Sequence, residues 1–181
     1  RTRSIVSGSS ALWPIHDFDF FPNDVDIYSP ADTGPAMLEI MQHRFSFDIH
    51  RTETSTYSSQ IGVTTVYWLT KGQSSVNLIF TEGDNAATAI FHFHSTVVMN
   101  YFNGTRLYCS IPELTLRKLA FANDNLLLDE LTARRTLSCI DKYTERGFNY
   151  GYVTPHVCGV DTICPATIRT LHDGKGLTIP F

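Results

Sequence analysis

The chain has 181 residues, of which 43% are hydrophobic and 12% aromatic, and its formal net charge is -4. This length fits one compact domain with a sizeable core, and the apolar content excludes a disordered chain. The net charge argues against a protein that mainly coats nucleic acid but leaves a local basic patch open, and no apolar run approaches the roughly 20 residues of a membrane-spanning helix.

Hydrophobic periodicity and turn residues predict alternating strands and helices in the first half of the chain. In order, these are a strand at 5–7, a helical turn at 10–15, a strand at 25–28, a helix that begins at Pro35 and carries an apolar stripe to 45, a strand at 62–70 and a strand at 75–81. A predicted turn at 71–73 joins the last two strands, so they form a hairpin.

The second half combines short elements with one long helix. The predicted elements are a helical segment at 86–93, strands at 96–102 and 106–109 joined through the turn signal Asn103-Gly104, and helices at 112–121 and 126–146. Together the elements predict an α+β fold, with a small mixed β-sheet and helices packed on one of its faces. Residues 1–146 form the predicted domain, and 147–181 form a tail that packs on it.

Two short motifs near the N-terminus indicate a site for charged ligands. Gly8 and Ser9 follow the first strand, where a turn presents backbone N–H groups and a hydroxyl to a phosphate. Asp24 and Asp26 belong to the second predicted strand, in which alternate side chains share a face. A divalent cation relieves the repulsion between two such carboxylates, and Mg²⁺ combines carboxylate ligands with substrate phosphates. The two motifs together indicate nucleotide chemistry.

A structural role for the two aspartates is the alternative. They lie among residues that commonly form turns, which are Pro22, Asn23, Ser29 and Pro30. Aspartate at a strand end often caps backbone groups in a turn, and that role requires neither a metal nor a nucleotide. The upstream Gly8-Ser9 pair is what favours the metal site.

The order of these motifs resembles the signature of the nucleotidyltransferase superfamily, which has the polymerase-β-like fold. That signature is a Gly-Ser pair, a short helix and an Asp-apolar-Asp-apolar strand, which correspond here to Gly8-Ser9 and Asp24-Val25-Asp26-Ile27, with a somewhat longer spacer. Further runs resemble a fungal branch of the same superfamily: Phe93-His94-Ser95-Thr96-Val97-Val98-Met99-Asn100, Lys142-Tyr143, Arg146-Gly147-Phe148, and Cys164-Pro165 with Arg169.

The resemblance implies an enzyme that depends on Mg²⁺ (or Mn²⁺) and moves a nucleoside monophosphate from an NTP to an acceptor of unknown identity. Asp24 and Asp26 would be the catalytic residues that hold the metal, and Gly8 and Ser9 would bind the triphosphate. The expected partners are therefore an NTP and this acceptor, with no membrane. Nucleic acid as a partner has no support from the net charge.

One position departs from the family pattern. The superfamily carries a third carboxylate on the strand after the Asp-x-Asp strand, and the corresponding residue here is Asn77. An asparagine offers a neutral carbonyl oxygen but neither the charge nor the basicity of a carboxylate. Asn77 is therefore expected to line the nucleotide site without replacing the carboxylate. The alternative function is a catalytically inactive binding module that keeps the fold.

Histidine and basic residues supply the other candidates. His94 is favoured over His92 as a nucleotide-binding residue, because it falls in the resembled run. For both, the alternative is a structural histidine bonded to backbone carbonyls. Lys142 and Arg146 are four residues apart on a predicted helix, so they share a face that either meets a triphosphate or is simply solvated.

The cysteines leave several states open. Cys109 and Cys139 lie in predicted elements, where a buried free thiol is the ordinary interpretation. The tail carries four residues of zinc-ligand type, which are His156, Cys158, Cys164 and His172. Their spacing lacks a tight Cys-x2-Cys knuckle, so we do not expect zinc; a disulfide within the tail and free thiols are the alternatives. No signal peptide is visible, and a cytoplasmic location is the default expectation.

Overall fold

The computed structural model describes residues 2–15, 17–54, 62–128, 130–151 and 174–181. Within these ranges the strands are β1 (Ile5–Ser7), β2 (Val25–Pro30), β3 (Asp48–Thr54), β4 (Val63–Lys71), β5 (Ser74–Thr81), β6 (Asn100–Phe102), β7 (Arg106–Cys109), β8 (Leu119–Phe121), β9 (Asn149–Gly151) and β10 (Leu177–Pro180). The α-helices are α1 (Ser9–Leu12), α2 (Gly34–Glu39), α3 (Pro112–Thr115) and α4 (Glu130–Glu145). A π-helical turn, Ile40–Arg44, extends α2, and 3₁₀ segments cover Trp13–Ile15, Ala86–His92, Thr96–Val98 and Asp124–Leu127.

Eight of these strands form one mixed sheet in the order β10-β7-β6-β1-β2-β5-β4-β3. The central pair, β2 and β5, runs parallel, and the other neighbouring pairs run antiparallel. The strands β8 and β9 form a separate parallel pair. The α+β class and the mixed sheet predicted from the sequence are therefore confirmed, but the sheet is large rather than small.

Helical segments cover both faces of the sheet, because the central strands are apolar on both sides. On one face, Ile27 and Leu78 pack with residues of α2 and of the π-helical turn after it. On the opposite face, Tyr28 and Ile79 pack with the 3₁₀ segment Ala86–His92. The prediction that the helices lie on one face is wrong, since it treated a central parallel pair as if one of its sides were solvated.

Two predicted elements end earlier or begin later than expected. The helix predicted at 112–121 stops after Thr115, and Lys118 adopts a positive φ of 53° that a right-handed helix cannot include. The chain then continues as β8. The strand predicted from residue 96 begins only at Asn100, because the Ser95 hydroxyl accepts a hydrogen bond from the Val97 N–H and starts a 3₁₀ turn.

The ends of the main sheet come from segments without a strong sequence signal. The edge strand β3 is polar and mostly exposed, and no strand was predicted there. The opposite edge is β10, from the predicted tail, which pairs with β7.

In the described part of the chain, Cys109 is buried and Cys139 forms no disulfide. The tail positions His156, Cys158, Cys164 and His172 lie outside the described residues.

None of the helices in the described ranges combines the length and the apolar character needed to cross a bilayer.

The central strand β5 provides a test of the core. Leu78 is 0% exposed, and Leu128 is 86% exposed. Leu78→Ala should lower the free energy of unfolding by about 2–5 kcal/mol, because it leaves a cavity between the sheet and α2. Leu128→Ala is the matched control and should change it by less than about 0.5 kcal/mol. Urea unfolding of the two variants measures both values, and equal effects would contradict the described core.

Candidate functional site

Five of the six predicted site residues line a cavity of about 200 Å³ between the sheet and α4. Its lining includes Gly8, Ser9, Asp24, Asp26 and His94. The expected convergence of the two carboxylates and the Gly-Ser turn in one cleft is therefore confirmed. The lining also contains Phe93, Val98, Lys142 and Tyr143, which belong to the resembled runs, and Tyr28 and Cys139, which belong to none of them.

Strand pairing positions the two carboxylates. Asp26 lies opposite Ser7 of β1 and Asn77 of β5. Asp24 immediately precedes β2, and its backbone carbonyl accepts a hydrogen bond from the Ser10 hydroxyl at 2.8 Å. This bond ties α1 to the start of β2, so the Gly-Ser turn and the aspartates are held together.

The Asn77 side chain bridges the two carboxylates. Its Nδ2 donates to Asp24 Oδ2 at 2.8 Å and to Asp26 Oδ1 at 2.8 Å. The predicted position of Asn77 on the strand beside Asp26 is confirmed, but Asn77 does not line the cavity as expected. Two amide hydrogens thus lie where they offset part of the negative charge of the pair.

The charge state of Asp26 depends on its surroundings. Burial raises the pKa of Asp26 to about 6, and the charge of Asp24 adds to the increase. The hydrogen bond from Asn77 and the charge of Lys142 act in the opposite direction. Asp26 therefore binds a proton more readily than an ordinary aspartate, because the site does not fully compensate its charge.

Gly8 is required by its contact with Asp26. Its φ is +68°, and a Cβ atom added to it would lie 2.3 Å from Asp26 Oδ2. Both the backbone conformation and the available space thus demand glycine. The helix that follows is only one turn long, so a helix dipole contributes little to this turn.

His94 is uncharged in this cavity. Burial lowers the pKa of His94 to about 4, and the charge of Lys142 also lowers it. Its Nδ1 is buried and has no hydrogen-bond partner in the described ranges. At this atom the structure therefore does not show the alternative role, a structural histidine that is bonded to backbone carbonyls. His92 is exposed and does not line the cavity.

Helix α4 forms the wall that carries positive charge. Cys139, Lys142 and Tyr143 line the cavity from one helix face, as their spacing of three and four residues requires. Burial raises the pKa of the Cys139 thiol, so this side chain is a neutral part of the wall. Lys142 forms no ion pair with any residue that the structure describes, which leaves its ammonium available to an anion.

No protein-family model, no curated protein and no solved structure matches this chain.

The opposite pKa shifts of Asp26 and His94 give a test of the site. A raised pKa means that folded Asp26 keeps its proton between about pH 4 and pH 6, where the unfolded chain loses it, so this residue destabilises the fold as the pH rises. Neutral His94 acts in the opposite direction over a similar window, because its folded pKa is lowered. The two effects partly cancel in the wild type, and a variant is needed to separate them.

Asp26→Asn removes the Asp26 contribution. The stability of this variant relative to the wild type should increase by about 2–3 kcal/mol between pH 4 and pH 7. Urea unfolding at four pH values measures the difference, and carbon-detected NMR titration of the Asp26 carboxyl in the wild type gives its midpoint independently. A difference that does not vary with pH would contradict the described environment of Asp26.

Proposed function

We propose that the cavity is a nucleotidyltransferase-type site, which binds an NTP together with Mg²⁺ or Mn²⁺ and moves the nucleoside monophosphate to an acceptor. The observation that carries the proposal is the contact of the Gly-Ser turn with the carboxylate pair. Gly8 lies directly against Asp26, so a phosphate at the turn would also be next to the two aspartates. Two independent sequence motifs thus form one site.

The strand arrangement supports the proposal. The Gly-Ser pair follows β1, the two aspartates lie at and just before the start of β2, and Asn77 lies on β5, the parallel neighbour of β2. This is the order that the superfamily resemblance implies for its phosphate-binding turn, its Asp-x-Asp pair and its third site residue. The resemblance rests on these motifs and their positions.

The donor set fits a hard divalent cation that shares its ligands with a phosphate. Asp24 Oδ2 and Asp26 Oδ1 both accept from the Asn77 Nδ2 atom at 2.8 Å, so the two carboxylates are close enough to share one ligand. In the described residues no group of three or more His, Cys, Asp or Glu is arranged to hold a metal. Two carboxylates suit Mg²⁺, which commonly adds substrate phosphates and waters, and a bound cation would neutralise charge at the transferred phosphate.

The other residues of the cavity bind and orient the nucleotide. Lys142 places positive charge on the wall formed by α4, across from the aspartates on the sheet. The turn at Gly8 and Ser9 offers backbone N–H groups and a hydroxyl to the phosphates. His94 is neutral at pH 7, so it adds no positive charge that would repel a cation held by the carboxylates.

A binding module without catalytic activity is the second candidate, and the Asn77 bridge is the observation that favours it. The side chain in place of the third carboxylate donates hydrogen bonds to Asp24 and Asp26, whereas a metal site requires oxygen ligands. Asparagine also cannot accept a proton from the acceptor hydroxyl as a carboxylate can. Nucleotide binding is compatible with this arrangement, and turnover is what separates the two candidates.

Thermal unfolding with ligand tests nucleotide binding. Mg²⁺ plus an NTP should raise the Tm, since a ligand at 100 times its Kd stabilises the native state by about 2.7 kcal/mol. The double variant Asp24→Asn and Asp26→Asn should abolish this increase. The matched control, Asp48→Asn with Asp124→Asn, removes the same charge from exposed positions and should keep it. No increase with any of the four NTPs would contradict the proposal.

Pyrophosphate release then separates the enzyme from the module. The enzyme should release pyrophosphate from at least one NTP when a panel of hydroxyl-bearing acceptors is supplied, and the double variant should release none. A rise in Tm without pyrophosphate release would establish the binding module instead.

The Asn77 bridge predicts a gain of metal affinity on substitution. Asn77→Asp adds a charged oxygen ligand, and one unit charge about 4 Å from a divalent ion is worth on the order of 8 kcal/mol at a dielectric of 20 before desolvation offsets it. We expect Mn²⁺ to bind at least about tenfold more tightly, which calorimetry measures. Asn77→Ala, which removes the bridge without adding charge, is the control and should show a smaller gain. Equal Mn²⁺ affinity in the wild type and Asn77→Asp would contradict the metal site.

A further inference from the structure

Cations and aromatic rings alternate along a row that starts at the cavity. The row, which we call the cation–ring row, consists of Lys142, Tyr143, Arg146, Phe20, Phe18 and Lys118. Lys142 Nζ lies 5.8 Å from the centroid of the Tyr143 ring, and Arg146 Cζ lies 5.1 Å from that ring and 4.1 Å from the Phe20 ring. The Phe20 and Phe18 rings are 5.5 Å apart, and Lys118 Nζ lies 5.5 Å from the Phe18 ring.

The three cations of the row are Lys118, Arg146 and Lys142, and the charge of Lys142 also acts on Asp26, whose pKa it lowers. Neither Lys118, Lys142 nor Arg146 forms an ion pair with a residue in the described part of the chain. Arg146 Nη1 is buried there without a hydrogen-bond acceptor. A guanidinium nitrogen removed from water in this way is unfavourable unless something compensates its charge, and two ring faces compensate it only in part. This arrangement indicates that an anion completes the row.

Two of the three rings of the row are too buried to offer stacking surfaces, and Arg146 lies over the third, Phe20. Tyr143 is 3% exposed and Phe18 is 6% exposed, so neither ring has a free face for a nucleobase. The acidic residues nearest in sequence to the row are exposed: Asp17, Asp19, Asp141 and Glu145. The row therefore recognises negative charge without a base, and a phosphate is the anion that a fixed guanidinium and two ammonium groups suit best.

The extent of the row distinguishes it from a triphosphate site. Lys142 lines the cavity, but neither Arg146 nor Lys118 does, so two of the three cations lie beyond the space proposed for the NTP. Arg146 is one helical turn, about 6 Å, farther along the chain from Lys142. Because the cations are spaced along a row that leads away from the cavity, they suit a ligand with successive negative charges, such as the phosphates of a nucleic acid strand.

We infer that the cation–ring row binds the backbone phosphates of a single-stranded nucleic acid. If the proposed function holds, an end of this strand that reaches the cavity past Lys142 supplies the acceptor hydroxyl. The net charge of the whole chain does not support nucleic acid as a partner, but the local arrangement of three cations that form no ion pair in the described ranges does. Recognition through the backbone makes binding independent of base sequence.

Fluorescence anisotropy with 12-residue oligonucleotides of uridine and of thymidine tests the row. Both should bind within about fivefold of each other, because the row contacts phosphates. Arg146→Gln and Lys118→Gln should each weaken binding three- to tenfold, and each should reduce the slope of log affinity against log salt by about 0.7. Arg44→Gln is the control: it removes an exposed cation on the α2 face of the sheet and should change neither value.

A second set of measurements separates a failed fold or a failed function from a failed inference. Arg146→Lys keeps the charge and should retain most of the binding, and the Tm of each variant shows whether it is folded. Unchanged oligonucleotide affinity in both folded Gln variants would overturn the inference. So would displacement of the oligonucleotide by inorganic polyphosphate at equal phosphate concentration, which would show a site for any polyanion. The NTP-dependent rise in Tm is independent of these outcomes: its loss with oligonucleotide binding intact would refute the proposed function alone.

Discussion

The repulsion between Asp24 and Asp26 is the constraint on which the site depends. The two carboxylates lie two residues apart at the start of the central strand β2, where water cannot fully solvate them. The structure offsets their charge in three ways: the Asn77 amide donates to both, Lys142 faces them from α4, and Asp26 readily takes up a proton. Each of these compensations is incomplete, so the cavity keeps part of the negative charge of the pair.

The register of β2 against β5 makes this compensation possible. Asp26 pairs with Asn77, and the next pair is Ile27 with Leu78. A slip of one residue would turn Leu78 toward the carboxylates and Asn77 into the core under α2. The apolar alternation that buries Leu78 therefore also fixes the amide beside the aspartates. Core packing and site geometry are set by the same strand pairing.

The sequence predicted those parts of the site that depend on local patterns. Gly8 and the two aspartates carry short motifs, and Asn77 follows from alternation along one strand. Cys139 could not be found in this way, because it reaches the cavity from a helix more than a hundred residues away and belongs to no motif. Similarly, the prediction of a helix at 112–121 was wrong beyond Thr115. Lys118 adopts a left-handed backbone conformation there, and a lysine in the sequence does not indicate such a conformation. The size of the sheet was missed because polar edge strands lack the alternation of central ones.

The approach of Gly8 to Asp26 also has a consequence for how this chain can vary. With 2.3 Å between Asp26 Oδ2 and the position of a Cβ atom at residue 8, the two residues occupy one volume. A side chain at position 8 would be sterically compatible only with a smaller residue at position 26. Among related chains the two positions should therefore covary, so that drift at either one is restricted by the other even where no ligand has ever bound.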